Sequence, residues 1–153
     1  MSIIMKIRYA NLDDVEKITK NNVLLARESE KLTIDYKTVF TGVKTLLSDQ
    51  TKGFYLVAEE YNNIIGQMMI TFEWSDWHNK NVWWLQSVYV NNSWRQKGVF
   101  TKLFSAVKKT ACKNNVDVLR LYVYKSNINA KKTYIASGMQ EQSYSIYQIS
   151  LES

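Results

Sequence analysis

The sequence predicts an α/β fold of the α+β kind: a mixed, mostly antiparallel central sheet with helices on both faces, as in a three-layer sandwich. Three observations carry this prediction. Strand-like and helix-like periods succeed one another in the order β-α-α-β-β-β-α-β-α-β. Three consecutive strand-like runs between residues 54 and 90 are joined by short polar connections, as in an antiparallel meander. The 153 residues suffice for one domain, 1–153, with a real core, and no repeat, low-complexity segment or Pro- or Ser-rich linker divides them.

The first strand is IMKIRYA, residues 4–10. NLDDVEKITKNNVLLA (11–26) is a helix: Asn11 caps it, Asp13 and Asp14 suit its positive end, and Leu12, Val15, Ile18 and Leu25 share a face. IDYKTVFTGVKTLLS (34–48) is a second helix, with Tyr36, Val39, Phe40, Val43 and Leu47 as its stripe. FYLVAEE, IIGQMMITFEW and VWWLQSVYV form the meander, linked by YNN and SDWHNKN. From Val99 the period is helical again, with Val99, Leu103, Val107 and Ala111 on one side. Cys112 lies in this segment and reads as a small buried residue. VDVLRLYVY (116–124) reads as a buried strand. NINAKKTYIASGM (127–139) reads as a short helix with Asn129 as N-cap and Gly138 just past its end. QSYSIYQISL (142–151) alternates as a terminal strand.

Composition narrows the function. The net charge of +6 favours anionic partners: nucleic acid, a membrane surface or a phosphate-bearing ligand. No apolar run approaches the roughly 18 residues of a membrane span. The start, MSIIMKIRYA, lacks a signal peptide's longer apolar core and cleavage site, so a cytoplasmic location is the expectation. A single Cys allows no internal disulfide. One His (His78) and one Cys far apart favour neither a zinc cluster nor a nucleophile triad, and no metal is expected.

The informative stretch is VYVNNSWRQKGVFTKLF, residues 88–104. An apolar strand ends, a polar loop follows, and Gly98 opens a helix. A helix N-terminus offers unpaired N–H groups and partial positive charge, glycine lets a ligand approach them, and Arg95 and Lys97 add full charge. Such a strand–loop–helix suits a phosphate or pyrophosphate, and equally a tight turn with solvated basic residues. Neither GxGxxG nor GxxxxGK[ST] is present, which disfavours Rossmann and P-loop nucleotide sites. KGVFTKLF faintly resembles an RNA-recognition strand, but its apolar residues recur at three and four, not at two.

Here the sequence resembles the GNAT superfamily of acyl-CoA-dependent N-acetyltransferases. Its R/Q-x-x-G-x-G/A motif corresponds to Arg95-Gln96-Lys97-Gly98-Val99-Phe100. The likeness extends to SVYV before the motif, to NINAKKTYIASGM after the next strand, and to the order of elements from about Lys6 to Leu151. Phe100 departs from the pattern, since the family often has Gly or Ala there; its ring must turn away from the phosphates, into the core.

The resemblance implies acetyl-CoA as cosubstrate and a GNAT-like fold. It implies that the strand Val88-Tyr89-Val90 offers backbone groups of Val88 and Val90 to the pantetheine arm, almost as an extra strand would pair. It implies that the backbone of Gln96, Lys97, Gly98, Val99, Phe100 and Thr101 cradles the pyrophosphate, with charge from Arg95 and Lys97. Asn127 matches an asparagine near the pantetheine, and reads equally as a turn or capping residue. Ala130 matches a small residue that leaves room for the cofactor. Tyr134 matches the tyrosine that protonates the departing thiolate; on its own it is one aromatic among ten tyrosines. The Val88 N–H would stabilise the oxyanion. For the base that deprotonates the amine, Glu73 is the first candidate, followed by Asp76, Glu59 and Glu60, and each also reads as a surface carboxylate. Trp74, Trp77, Trp83 and Trp84 cluster in the meander, as core or as a surface on which a cation stacks.

The expected reaction is acetyl transfer to a primary amine of a small molecule or protein. The alternative is a non-catalytic acyl-CoA sensor on the same fold. A nucleic-acid binder is a third class, disfavoured because no stripe of paired basic and aromatic residues supports the charge. The terminal strand is available for pairing with a second subunit, as in a homodimer.

Overall fold

The computed structural model describes residues 5–152. Five strands form one sheet in sequential order: β1 (Lys6–Tyr9), β2 (Gly53–Glu60), β3 (Asn63–Ser75), β4 (Lys80–Val90) and β5 (Leu119–Arg120). Pairing is antiparallel from β1 to β4 and parallel between β4 and β5. The helices are α1 (Val15–Glu30), α2 (Tyr36–Ser48), α3 (Val99–Lys113) and α4 (Ile128–Ala136). The mixed, mostly antiparallel sheet with helices on both faces is therefore observed.

Period-2 alternation on β2 separates the two layers. Tyr55 and Val57 meet Val15 and Ile18 of α1 and Val43 and Leu46 of α2. Leu56 and Ala58 face the other way, into the core that α3 closes with Val99, Leu103, Phe104, Val107 and Ala111. At the start of α1 the Asn11 side chain accepts from the Asp13 N–H, and the Asp14 carboxylate accepts from the Asn11 N–H at 2.8 Å. Arg8 of β1 grips Asp14 with both terminal guanidinium nitrogens, at 2.8 and 2.9 Å, and reaches Glu59 of β2 through Nε at 3.0 Å. One charged fork thus joins strand, strand and helix entry.

Gly66 sets how closely α3 approaches the sheet. A Cβ there would lie 2.6 Å from Val99 Cγ1 and 3.3 Å from Leu103 Cδ1. Val99 is β-branched and stiff, so it cannot swing aside. Gly66→Ala is expected to cost about 1–3 kcal/mol by overpacking. Because the clash falls on the first residue of α3, it also displaces that helix's N-terminus. Urea unfolding measures the first effect and ligand affinity at the α3 N-terminus the second.

Several expectations are corrected. Ile4, at the start of the first strand, lies outside the described residues. Cys112 is exposed, because the buried stripe of α3 runs through Val107 and Ala111 and the next residue turns off it. Leu12 is exposed as well; α1 instead buries the polar residues Thr19, Asn21 and Asn22. Of 116–124, only Leu119–Arg120 pairs in the sheet, and Tyr122 and Tyr124 are exposed. Residues 142–151 form no strand, because their alternation meets no neighbouring edge within the chain. The N-cap of α4 is Asn127, not Asn129. Gly138 does follow the helix with φ +92, its N–H bonded to the Ile135 carbonyl.

Candidate active site

Strand β4 carries an irregularity where the site begins. Gln67 pairs with Tyr89 and Met69 with Gln86, so three steps on β4 match two on β3, and the extra residue falls at Ser87–Val88. Ser87 takes a left-handed conformation, φ +50, unusual for a residue with a Cβ. On its other edge β4 pairs with β5 only at Trp83 and Trp84, after which the strands part. The Asn91 N–H donates to the Ile65 carbonyl at 2.8 Å and so faces β3. Alternation then turns the backbone groups of Val90 outward, where its carbonyl accepts from Arg95 Nε, and keeps Tyr89 facing β3.

A buried polar chain lies behind the bulge. Gln67 is fully buried, and its Nε2 donates to Asn22 Oδ1 at 2.9 Å and to the Ser87 carbonyl at 3.2 Å. Asn21 Nδ2 donates to Gln67 Oε1 at 3.0 Å, and Asn22 Nδ2 to the Tyr55 hydroxyl at 3.1 Å. Burial pushes the Tyr55 phenol above its ordinary range, against the pull of Asn22 and Ser87. Two asparagines of α1 and one glutamine of β3 thus hold the irregular Ser87 carbonyl in place. These residues escaped the sequence reading, although a glutamine inside the apolar run IIGQMMI and an NN pair within a helix were the available signal.

Beyond the gap, Asn92–Trp94 make a short 3-10 turn, with Asn91 Oδ1 accepting from Ser93 N and Oγ. Gln96 and Gly98 both have positive φ, +62 and +82. A Cβ on Gly98 would meet no protein atom within 4 Å, so the backbone conformation, not crowding within the chain, calls for glycine. No side chain caps α3. The first-turn N–H groups of Val99, Phe100 and Thr101 therefore remain open, at the positive end of the helix dipole.

The two basic residues of the loop have different surroundings. Arg95 Nη2 lies 2.6 Å from Glu28 Oε2 of α1, its Nε donates to the Val90 carbonyl at 3.0 Å, and its Cζ sits 5.4 Å from the Tyr89 ring centre. It is an anchor that fastens the loop to α1, with its charge offset by Glu28. Tyr89 joins this anchor by donating to Glu28 Oε1 at 3.3 Å; its buried side chain points away from the gap. Burial, and then the Glu28 charge, push the Tyr89 phenol up. Lys97 lies 5.3 Å over the Trp94 ring and leaves its charge exposed beside the open helix end.

Helix α4 stands across the loop. Asn127 Oδ1 accepts from the Ala130 N–H at 3.2 Å, which makes Asn127 its cap, with Ala130 half-buried in the first turn. Tyr134 is half-buried, its ring 5.7 Å from that of Phe100, which stacks on Phe104 at 5.5 Å. The Phe100 ring is thus turned between α3 and α4, as its departure from the motif required. Burial pushes the Tyr134 phenol above its ordinary range, so the hydroxyl holds its proton.

Glu73, on β3, reaches across to Trp84 of β4 and Arg120 of β5, the last pair that joins those two strands. Its Oε1 accepts from Trp84 Nε1 at 3.2 Å and its Oε2 from Arg120 at 3.1 Å. Trp84 in turn contacts the Tyr122 ring at 5.9 Å, and Gln86 Nε2 donates to Thr71 Oγ1 at 2.7 Å. Period 2 puts these side chains on one sheet face. Of the other carboxylates, Glu59 is held by Arg8, Glu60 is buried, and Asp76 is exposed in the β3–β4 turn. Trp83 is core, while Trp74 and Trp77 are exposed. Among the described residues, no group of three or more His, Cys, Asp or Glu is placed to hold a metal, and no helix is long and apolar enough to cross a membrane.

Comparison with known proteins identifies the family and relatives of the same fold. A profile of the acetyltransferase (GNAT) family matches residues 21–139. The crystal structure of a possible acetyltransferase from Clostridium difficile 630 is 42% identical, with a TM-score of 0.91, over 99% of this chain and 100% of that one. A predicted acetyltransferase with acetyl-CoA from Clostridium acetobutylicum shares the fold at 18% identity, with a TM-score of 0.80 over 95% and 96% of the two chains. Among characterised proteins, a thialysine N-epsilon-acetyltransferase of Bos taurus is 30% identical over 78 residues. That match spans 51% of this chain and 45% of the bovine protein.

Proposed function

The chain belongs to the acetyltransferase (GNAT) family, and on that premise we propose that it is an N-acetyltransferase that moves the acetyl group of acetyl-CoA to a primary amine, both substrates being bound together. The observation that carries this reading is a continuity of backbone. The outward-facing backbone of β4 at Val90 leads through the loop of residues 91–98 to the uncapped N-terminus of α3.

A gap between parted strands suits an extended amide-bearing arm, which pairs with a strand edge as a further strand would. An open helix N-terminus suits a pyrophosphate. The N–H groups of Val99, Phe100 and Thr101 and the exposed Lys97 bind there, while Arg95 fixes the loop that presents them. The Val90 carbonyl, now accepting from Arg95, is shared with or released to the arm on binding. Acetyl-CoA supplies the activated acyl group and a thiol leaving group.

The residues then divide the work. The Val88 N–H, held by the bulge, donates to the carbonyl oxygen as negative charge develops on it. Tyr134, kept neutral by burial, gives its proton to the departing sulfur. The amine must shed a proton before attack, and Glu73, held at the β4–β5 pair of Trp84 and Arg120, is the candidate that takes that proton through water. The polar face of Thr71, Trp84, Gln86 and Arg120 around it then receives the acceptor. Because Arg120 balances Glu73, this face is not strongly acidic, which fits an acceptor bearing a carboxylate as well as an amine better than a polycation.

The test is a thermal-shift titration with acetyl-CoA, CoA and ATP, followed by thiol release with lysine, thialysine and polyamines as acceptors. Stabilisation by both CoA species but little by ATP, with turnover on at least one amine, is the expected result. Binding without turnover across the panel would favour the acyl-CoA sensor. No stabilisation by either CoA species would remove the cofactor assignment.

A further inference from the structure

Strands β3 and β4 run on beyond the start of β2. Gly53, the first residue of β2, pairs with Thr71, so the cross-strand pair Phe72–Trp83 lies past its end. Phe54 contacts both of those rings, at 6.2 and 5.3 Å, and Tyr9 of β1 packs edge-on against Phe54 at 5.4 Å. Trp83 is 4% exposed but Tyr9 is 57% exposed, so this aromatic cluster runs from the core out to solvent. The four rings line a cavity of about 400 Å³, together with Leu46 and Leu47 at the end of α2 and Thr110 and Asn114 at the end of α3. Thr110 stands 11 residues past Val99, about 16 Å along the helix from the open N-terminus of α3. The cavity is therefore separate from the loop at Gly98.

The lining specifies what fits. None of the described residues around the cavity is charged, in a chain of net charge +6. A charged guest would leave water without gaining a partner ion, which excludes both acetyl-CoA and a protonated amine. Four rings offer offset-stacked and edge-to-face places to a fifth, which favours a flat aromatic guest. The volume lies near the small end of the range of about 300–1,000 Å³ for ligand pockets, and admits one or two rings. The polar groups at the end of α3 set the hydrogen bonding. Thr110 gives its hydroxyl proton to the Ala106 carbonyl at 2.9 Å, so its oxygen is left only to accept. Asn114 Nδ2 donates to the Thr110 carbonyl at 2.8 Å and leaves Oδ1 as an acceptor. A guest that satisfies either oxygen carries an N–H or O–H.

We propose that this cavity is a second binding site, which takes an uncharged molecule of one or two aromatic rings bearing an N–H or O–H donor, of the indole or phenol class. The guest packs on Phe54, Phe72 and Trp83 and donates to Thr110 or Asn114. It is neither substrate of the proposed acetyl transfer. The two sites also lie on opposite faces of the sheet. Phe72 and Trp83 immediately precede Glu73 and Trp84, and period 2 sends the second pair to the other side.

Calorimetric titration of the full chain with indole and with N-methylindole tests this, with and without saturating acetyl-CoA. Two variants accompany it, Leu47→Trp and the double substitution Thr110→Val with Asn114→Ala, each checked for unchanged helix content. Indole is expected to bind one per chain, with the same affinity when acetyl-CoA is present. N-methylindole keeps the rings but lacks the donor, so it is expected to bind about tenfold more weakly. The double variant removes both acceptors and is expected to bind the two probes alike. Leu47→Trp fills the cavity and is expected to bind neither. Failure of indole to bind at millimolar concentration overturns the proposal, as does equal affinity of the wild type for both probes. Displacement of indole by acetyl-CoA, or indole binding that survives Leu47→Trp, also overturns it, by placing the guest elsewhere. A double variant that still prefers indole overturns it too, by placing the acceptor outside this cavity.

Discussion

Tyr134→Phe lowers kcat by about 10²- to 10⁴-fold, the usual contribution of a positioned general acid, and leaves the KM for acetyl-CoA nearly unchanged. The ring stays, so its packing on Phe100 stays, and the melting temperature barely moves. In the proposed mechanism what is lost is a proton donor. A thiolate leaving without a proton raises the barrier of the step in which the carbon–sulfur bond breaks, so the loss appears in kcat and not in binding. The pH profile supplies a second readout. Burial raises the Tyr134 pKa, so the neutral, donating form survives to higher pH than a free phenol would. The wild-type alkaline limb is therefore expected above the ordinary tyrosine range, and the variant is expected to lack it. A kcat within a fewfold of wild type would assign the proton to water and reduce Tyr134 to a packing residue.

Gln67→Leu is expected to destabilise the fold by about 2–4 kcal/mol, because its shape is kept while the hydrogen-bond partners are abandoned. Asn21 Nδ2, Asn22 Oδ1 and the Ser87 carbonyl are left without it in a region closed to water. Urea unfolding measures the cost. Pairing the change with Asn22→Leu distinguishes a network from simple packing: removing partners together costs less than the two single losses added. The folded fraction also reports on function. The Ser87 tether holds the bulge beside Val88, the residue proposed to stabilise the oxyanion, so the variant's kcat is expected to fall along with its stability. A cost under about 0.5 kcal/mol, typical of an inconsequential site, would mean that the chain Asn21–Gln67–Asn22 does not hold the bulge.

Much of the architecture was legible because it rests on local periodicity. The α3 stripe of Val99, Leu103, Val107 and Ala111 follows from the 3.6 period and is buried as read. The meander follows from alternation and from short polar turns, and Gly98 opens its helix in the left-handed conformation that favours glycine. The motif placed the loop, and the spacing of Asn127, Ala130 and Tyr134 placed one short helix beside it. Other features depend on partners far away in sequence. That Arg95 is occupied by Glu28, 67 residues earlier, cannot be read from RQKG. That Glu73 meets Arg120 required β3, β4 and β5 to be set in register. The buried polar chain behind Ser87 needed α1 to lie against the sheet.

The terminal segment shows the division most clearly. Its alternation reads as a strand, yet the chain forms no strand there, because a strand is a property of two edges and a pattern describes only one. Period and motif determined the elements, their order and the loop at Gly98. Tertiary structure alone decided which charges are neutralised, which backbone groups face the gap, and which apolar surfaces remain uncovered. Those outcomes arise from contacts between residues tens of positions apart, whose energies no local pattern contains.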